Sequence, residues 1–309
     1  MSARLQTHVD DYLRLRRALG FKLERHGQLL PQLVAYLQAA GASTVTRELA
    51  ISWARLPASA HPRHWAARLS IARGFAAYLQ TIDPATEVPP AEVFAVRYQR
   101  PTPYLWSGED ISRLLLAASG LRPPLKAASY QALFGLLAVT GMRVGEAIAL
   151  EGDDLDLDEG VITIREQTAK LDRARLVPLH PTTVHALATY LSARQRLCPK
   201  PRSSAFFLSG AGTALDRSAV SKTLCKITIA LGLRTETVHP RAHDLRHSFA
   251  VSTLVGWQRS AIKIDERIAT LSTYLGHVSP ADTYYYLTAV PELMELAADR
   301  VHHRFGGPQ

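Results

Sequence analysis

A proline-rich stretch near residue 100 constrains the fold most, because it separates two segments with different hydrophobic patterns. It contains Pro89, Pro90, Pro101 and Pro103. Proline lacks the backbone N–H and restricts the residue before it, so the stretch is predicted to be an extended connector and not a helix. We therefore predict an N-terminal domain over residues 1–97, a linker over 98–105 and a second domain over 106–309.

The first domain has a helical pattern. Apolar residues recur at three- and four-residue spacing in four segments, which end near Gly20, Gly41, Pro57 and Pro84. This pattern predicts a small four-helix bundle.

The same domain is basic, with 12 Lys and Arg against 7 Asp and Glu over residues 1–97, in a chain of net charge +9. Taken singly, each basic residue is best explained as part of a solvated helix face, but two basic helices in one bundle favour a surface that follows phosphates. The candidate DNA-binding residues are Arg14, Arg17, Lys22, Arg63, Arg68 and Arg73.

The second domain has a mixed pattern. GVITIREQ and ARLVPLH alternate and are rich in β-branched residues, which predicts two strands around the turn TAKLDR. Most of the remaining segments have helical periodicity, and SGEDISRLLLAAS begins with a serine cap. The predicted fold class is mainly α with a small antiparallel sheet.

Composition excludes several other classes of protein. The longest apolar runs are far shorter than a membrane helix requires, and the first residues lack the apolar core of a signal peptide. Cys198 and Cys225 are the two cysteines and form no CxxC pair, which argues against a disulfide framework or a zinc ribbon. We expect a soluble cytoplasmic protein without a membrane partner.

Two residues of the segment RAHDLRHSFA suit a phosphate ligand. His243 and Arg246 are three residues apart and share a helix face. A guanidinium group provides a permanent charged fork, and an imidazole transfers protons near neutral pH. His243 and His247 are an alternative zinc pair, but the residue after the first histidine is Asp244, so the HExxH motif does not match and we predict no metal.

Other candidates are spread along the second domain. Arg143 lies at a turn after an apolar helix, with Glu146 placed to orient it as a supporting residue. Lys170 occupies the turn of the predicted hairpin. Leu275, Gly276 and His277 precede a run of three tyrosines, Tyr284, Tyr285 and Tyr286, of which at most one or two can point inward. Tyrosine needs positive neighbours to act as a nucleophile at neutral pH.

Together these residues resemble the active-site series of the tyrosine recombinases, also called the phage integrase family. TGMRVGE resembles the family's first arginine box, and HDLRHSFA resembles its second box. The segment from Lys170 to Leu179 resembles the family's β-hairpin lysine segment. Tyr286 follows His277 by nine residues, as the family's nucleophile does, so we choose it over its rivals Tyr284 and Tyr285, with Tyr284 second. Leu171 and Asp172 stand where many relatives have basic residues, so Lys170 is assigned by its distance from Arg175 alone.

The resemblance implies a site-specific DNA recombinase, similar to a transposon-encoded branch, with a helical, SAM-like core-binding domain and an integrase-type catalytic domain. Tyr286 is expected to form a 3′-phosphotyrosyl link, assisted by Arg143, Lys170, His243, Arg246 and His277. No metal, ATP or other cofactor is expected.

The implied partner is double-stranded DNA with inverted-repeat core sites, bound by a dimer at each site and by a tetramer in the synapse. The resemblance also implies sister recombinases as further partners and a location at the bacterial nucleoid. A docking role for the C-terminal segment PELMELAADRVHHRF is an alternative to packing on its own domain. Two other functions stay open: a type IB topoisomerase, and an accessory DNA-binding protein with an inactive site.

Overall fold

The computed structural model describes residues 2–94, 102–165, 174–260, 262, 264–277, 279 and 281–288. The chain divides into two compact units, Met1–Arg100 and Pro101–Gln309. Lys170, the segment PELMELAADRVHHRF and residues 98–101 of the predicted linker lie outside the described residues.

The first unit contains the four predicted helices. They are α1 (Ser2–Ala18), α2 (Glu24–Ala39), α3 (Arg47–Ala54) and α4 (Pro62–Gln80). Their apolar faces meet in one core, in which Leu30, Leu33, Trp53 and Phe75 are fully buried. Burial of these large side chains is the main force that holds the bundle together.

Arg68 is a correction to the predicted DNA-binding surface. Its side chain is buried in α4, with the guanidinium 4.0 Å from the ring of Trp53 and Nη2 donating to the Trp53 carbonyl at 3.1 Å. Helical periodicity places Arg68 on the same buried face of α4 as Ala72 and Phe75, and the ring of Trp53 compensates for the buried charge. Arg68 is therefore a packing residue. Arg14, Arg17, Lys22 and Arg63 are exposed and Arg73 is half-buried.

The second unit is mostly helical. Its helices are α5 (Gly108–Ser119), α6 (Pro124–Thr140), α7 (Val144–Ile148), α8 (Pro181–Leu197), α9 (Arg217–Ala230), α10 (Ala242–Arg259), α11 (Ile264–Leu275) and α12 (Ala281–Thr288). Ser107 caps α5 as predicted, because its hydroxyl accepts from the backbone N–H of Asp110 at 3.0 Å. Each described helix is too short or too polar to cross a membrane.

The sheet has three antiparallel strands, β1 (Leu155–Asp156), β2 (Val161–Ile164) and β3 (Arg175–Pro178), in the order β1-β2-β3. The two strands predicted from the sequence are β2 and β3, and Ile162 pairs with Val177. Both side chains are buried, so this register places one face of the hairpin on the core. Strand β1 was not predicted because two residues carry no periodic signal.

Helix α6 is the centre of the second unit, and α5, α8 and α10 pack around it. Leu133, Phe134 and Leu137 on this helix are fully buried. Helix α6 ends at Thr140, the next residue Gly141 has φ +62°, and the chain then turns so that Arg143 caps the start of α7. A second cluster of buried residues joins α10, α11 and α12. The candidate site lies where these two groups of helices meet β3.

The packing of Arg68 can be tested by its effect on stability. We expect Arg68→Ala to lower the free energy of unfolding by about 2–3 kcal/mol, because it leaves a void against Trp53 and removes the cation–π contact. Arg63→Ala, on the exposed face of the same helix, should change it by less than about 0.5 kcal/mol. Urea unfolding measures both, and equal effects of the two substitutions would contradict the assignment.

Candidate functional site

The end of α11 gathers three arginines from distant parts of the second unit. Arg175 Nε donates to the Tyr274 carbonyl at 2.9 Å, Arg246 Nη2 to the Leu275 carbonyl at 2.7 Å, and Arg143 Nη2 to the carbonyl of Gly276 at 2.7 Å. The last carbonyls of a helix lack partners within the helix and carry its negative dipole end. Three guanidinium groups therefore meet at one point because that point offers three acceptors.

Gly276 is the residue that allows this close approach. Its φ of +66° is the left-handed conformation that favours glycine after a helix end. A Cβ atom at this position would lie 2.9 Å from Arg175 Nη1 and 3.4 Å from Arg143 Nη1. Any larger side chain would displace the arginines, which explains why the middle residue of the Leu275-Gly276-His277 segment is a glycine.

Glu146 is the carboxylate of the cluster. Its side chain is 2% exposed, and it accepts from Arg175 Nη2 at 2.7 Å, from Arg143 Nη1 at 2.7 Å and from the Arg143 backbone N–H at 2.9 Å. Burial alone would raise the pKa of Glu146, but the hydrogen bonds and charge of Arg175, followed by those of Arg143, hold that pKa below its ordinary value. Glu146 is therefore an ionised link between α7 and β3.

Arg246 is the most deeply buried of the three arginines, with 1% of the residue exposed. Its Nη1 donates to the Gly141 carbonyl at 2.8 Å, so it joins the ends of α6 and α11. Burial, followed by the charge of Arg143, lowers the pKa of Arg246 to about 10. The group is thus fully charged at neutral pH, and further negative charge nearby would stabilise it.

Two histidines of the predicted site are neutral at physiological pH. His277 Nδ1 lies 2.7 Å from Thr283 Oγ1, and burial together with the charges of Arg246 and Arg143 lowers its pKa to about 4. His243 is exposed at the surface, yet partial burial of its imidazole, followed by the charges of His247 and Arg246, lowers its pKa to about 3. Neutral imidazoles can accept a proton.

Tyr286 is the tyrosine that the structure places in this cluster. It is 3% exposed, and its ring centroid lies 5.3 Å from that of His247 and 6.0 Å from that of His277. Burial raises its pKa, while the charge and hydrogen bond of Arg246 oppose the rise. Tyr284, the rival candidate, is 45% exposed on α12.

Two residues of the cluster were not among the predicted site residues. Arg175 served only to fix the spacing of Lys170, and His247 was considered only as a zinc ligand. The alternation of β3 contained a signal for Arg175, because it lies on the same strand face as the buried Val177. His247 follows Arg246 directly, and its ring lies between those of His243 and Tyr286, 4.8 Å and 5.3 Å away.

No group of three or more His, Cys, Asp or Glu side chains in the described parts of the chain is placed to hold a metal ion. Cys198 and Cys225 are free thiols, and both are half-buried. The predicted placement of Lys170 in the site is not tested by the described residues.

Comparison with known proteins identifies the family. Residues 107–292 match the phage integrase family. The chain is also 42% identical over 305 residues to the putative integrase/recombinase y4rB of Sinorhizobium fredii, a match that covers 96% of each chain. This chain belongs to the phage integrase family.

Other members extend the comparison. The tyrosine recombinase XerC of Alcanivorax borkumensis is 29% identical over 218 residues, which are 71% of this chain and 66% of that protein. The fold matches that of the XerH site-specific recombinase bound to a palindromic difH substrate, with a TM-score of 0.64, 21% identity and coverage of 96% of this chain and 84% of that one. The predicted family and fold class are confirmed, and the class of activity is site-specific recombination of DNA.

The pH dependence of stability tests the environment of His277 in this integrase. Its folded pKa of about 4 lies below that of an unfolded histidine, about 6.5, so the unfolded chain binds the proton first as pH falls. Stability is therefore complete above about pH 6.5 and decreases towards pH 4, by at most about 1.4 kcal/mol per pH unit for one such group.

We expect His277→Gln to lose less stability than the unchanged protein between pH 6.5 and pH 5. Urea unfolding over that interval measures the difference, because most carboxylates stay ionised there. Parallel pH dependences of the two proteins would contradict the buried, neutral state of His277.

Proposed function

We propose that this recombinase cleaves and rejoins DNA through a covalent link between Tyr286 and a 3′-phosphate. The observation that carries the proposal is the burial of Tyr286 against Arg246, beside His277, while Tyr284 is exposed on the same helix. A tyrosine without positive neighbours is a poor nucleophile at neutral pH, whereas this one lies in the field of two arginines.

In the proposed reaction, the Tyr286 hydroxyl oxygen attacks the scissile phosphorus in line and forms the phosphotyrosyl bond. The bond from phosphorus to the 5′-oxygen breaks, and Lys170 gives that oxygen a proton, so the product is a free 5′-hydroxyl. The proton of Tyr286 passes to a neutral imidazole, with His243 assisting. Attack of another strand's 5′-hydroxyl on the phosphotyrosyl bond reverses these steps and restores Tyr286.

Arg143 and Arg246 are proposed to neutralise the two non-bridging oxygens as charge develops, and His277 to donate to one of them. Three guanidinium groups and one carboxylate leave two net positive charges in the cluster. Preorganised charge of this kind is usually the largest single contribution to catalysis. We therefore propose that the reaction requires no metal ion, and no ATP because the phosphotyrosyl bond conserves the energy of the broken diester.

The proposed partner is double-stranded DNA with inverted-repeat core sites. A dimer would occupy each site, with one protomer on each repeat, and two such dimers would form a tetrameric synapse, because recombination joins four strands. The palindromic substrate of the XerH recombinase supports a two-fold arrangement on DNA. We propose residues 1–97 as the second half of the DNA-binding surface, with Arg14, Arg17, Lys22, Arg63 and Arg73 as phosphate contacts and 98–105 as the linker.

The nucleophile is tested with a nicked duplex that carries the inverted repeats beside the encoding gene. The nick lets a short strand dissociate after cleavage, so the covalent adduct accumulates. We expect Tyr286→Phe to remove the adduct, because phenylalanine has no hydroxyl oxygen to attack phosphorus. Tyr284→Phe is the matched control and should form the adduct at close to the original rate, as seen on a denaturing gel.

An adduct that persists in Tyr286→Phe would contradict the nucleophile assignment. Relaxation of supercoiled DNA without that site would favour the topoisomerase alternative. Binding to the site without any adduct would favour the accessory DNA-binding protein.

Independence of metal and ATP is a separate prediction. Adduct formation and strand joining should proceed at an unchanged rate in excess EDTA and without nucleotide, because arginine charge replaces that of a cation. A loss of the adduct on chelation, restored by Mg²⁺, would overturn this part of the proposal.

A further inference from the structure

We propose that Arg175 is a positioning residue for cleavage, which neutralises Glu146 and so leaves the charge of Arg143 available to the scissile phosphate. This inference rests on the proposed function, since it concerns the same site. It assigns a role to Arg175 on β3, which is not one of the arginines that are proposed to contact the phosphate.

Arg175 binds Glu146 and the end of α11 at the same time. Its Nη1 and Nη2 donate to the two oxygens of Glu146 at 3.1 Å and 2.7 Å, and its Nε donates to the Tyr274 carbonyl at 2.9 Å. The side chain is 9% exposed, compared with 21% for Arg143. Arg175 therefore faces the protein, and Arg143 is the arginine with surface left for a ligand.

Charge explains why Glu146 needs a second arginine. Both oxygens of this buried carboxylate already accept from Arg143, through Nη1 and through the backbone N–H. If Arg143 were the only cation on Glu146, the carboxylate would cancel the charge that the phosphate requires. A bidentate guanidinium–carboxylate pair is held by two charge-assisted hydrogen bonds and has no net charge, so Arg175 neutralises Glu146 while Arg143 stays oriented by it.

Geometry adds a second link from Arg175 to the site. Its guanidinium fills the space beside Gly276, where a Cβ would lie 3.1 Å from the Arg175 Cζ. Gly276 also accepts the hydrogen bond from Arg143 Nη2 and precedes His277 in the chain. Loss of Arg175 would therefore leave Glu146 paired with Arg143 alone and would remove one of the contacts that hold the turn before His277.

The test uses the full-length protein with Arg175→Met and Arg175→Lys on the nicked duplex. We expect Arg175→Met to slow single-turnover adduct formation about 100-fold, the effect of a small misplacement of catalytic groups. Arg175→Lys should recover part of the rate, because lysine keeps the charge but loses the fork. The Kd for an uncleavable duplex should change by less than about threefold, since Arg175 is turned away from the ligand surface.

Two further variants separate positioning from a general loss of folding. Arg165→Met is the matched control: Arg165 directly follows β2 and pairs with Glu151 and Asp154, each at 2.9 Å, outside the cluster, so its loss should leave the cleavage rate within about threefold. Glu146→Gln combined with Arg175→Met should be no slower than the slower single variant, because the two residues act as one unit. An unchanged cleavage rate in Arg175→Met would overturn the inference, and so would additive effects of the two substitutions. Slower cleavage that is explained by unfolding of the variant at the assay temperature would overturn it as well.

An NMR titration of labelled glutamate carboxyl groups does not depend on activity. The Glu146 pKa should rise in Arg175→Met, because Arg175 contributes most to its lowering. If the unchanged protein forms no adduct, the proposed function fails, and this titration decides the inference about Arg175: an unaltered Glu146 pKa would overturn it.

Discussion

The site depends on the carboxyl end of α11, where three consecutive carbonyls accept from three arginines. These arginines come from the start of α7, the start of β3 and the second turn of α10, which are far apart in the sequence. A helix end in water would satisfy its carbonyls with solvent. Here guanidinium groups take that place, so the helix end and the positive site stabilise one another.

Concentrating positive charge in a buried place has an electrostatic cost. The lowered pKa of Arg246, about 10, shows that burial and the neighbouring Arg143 disfavour its charge. Glu146 offsets part of this repulsion, and the carbonyl oxygens offset more of it with their dipoles. The remaining positive charge is unsatisfied until an anion arrives, so a phosphate diester would complete the cluster rather than compete with it.

The sequence predicted the helices and β-hairpin well, because their hydrophobic periods are long and end at glycine, proline or capping residues. It also indicated Arg143, Glu146 and Arg246, whose motif spacing is local. Arg175 escaped prediction because its importance comes from Tyr274 and Glu146, which meet it only after folding. Arg68 shows the opposite error: a basic residue in a helix was predicted to face DNA, whereas Trp53 provides a buried partner that the sequence does not reveal.

If Tyr286 is the nucleophile, as proposed, the titrating groups around it imply an order of events in strand cleavage. Before DNA binds, Tyr286 is protonated, because burial raises its pKa, and the imidazoles of His243 and His277 are neutral. A bound phosphate brings negative charge next to these histidines, which favours their protonated form. The same anion makes the loss of a proton from Tyr286 harder, so a base that strengthens on DNA binding is required. Burial, aided by the charges of Arg246 and Arg143, thus keeps the histidines neutral in the free protein, and in the proposed mechanism a bound phosphate would oppose that effect when the proton has to move.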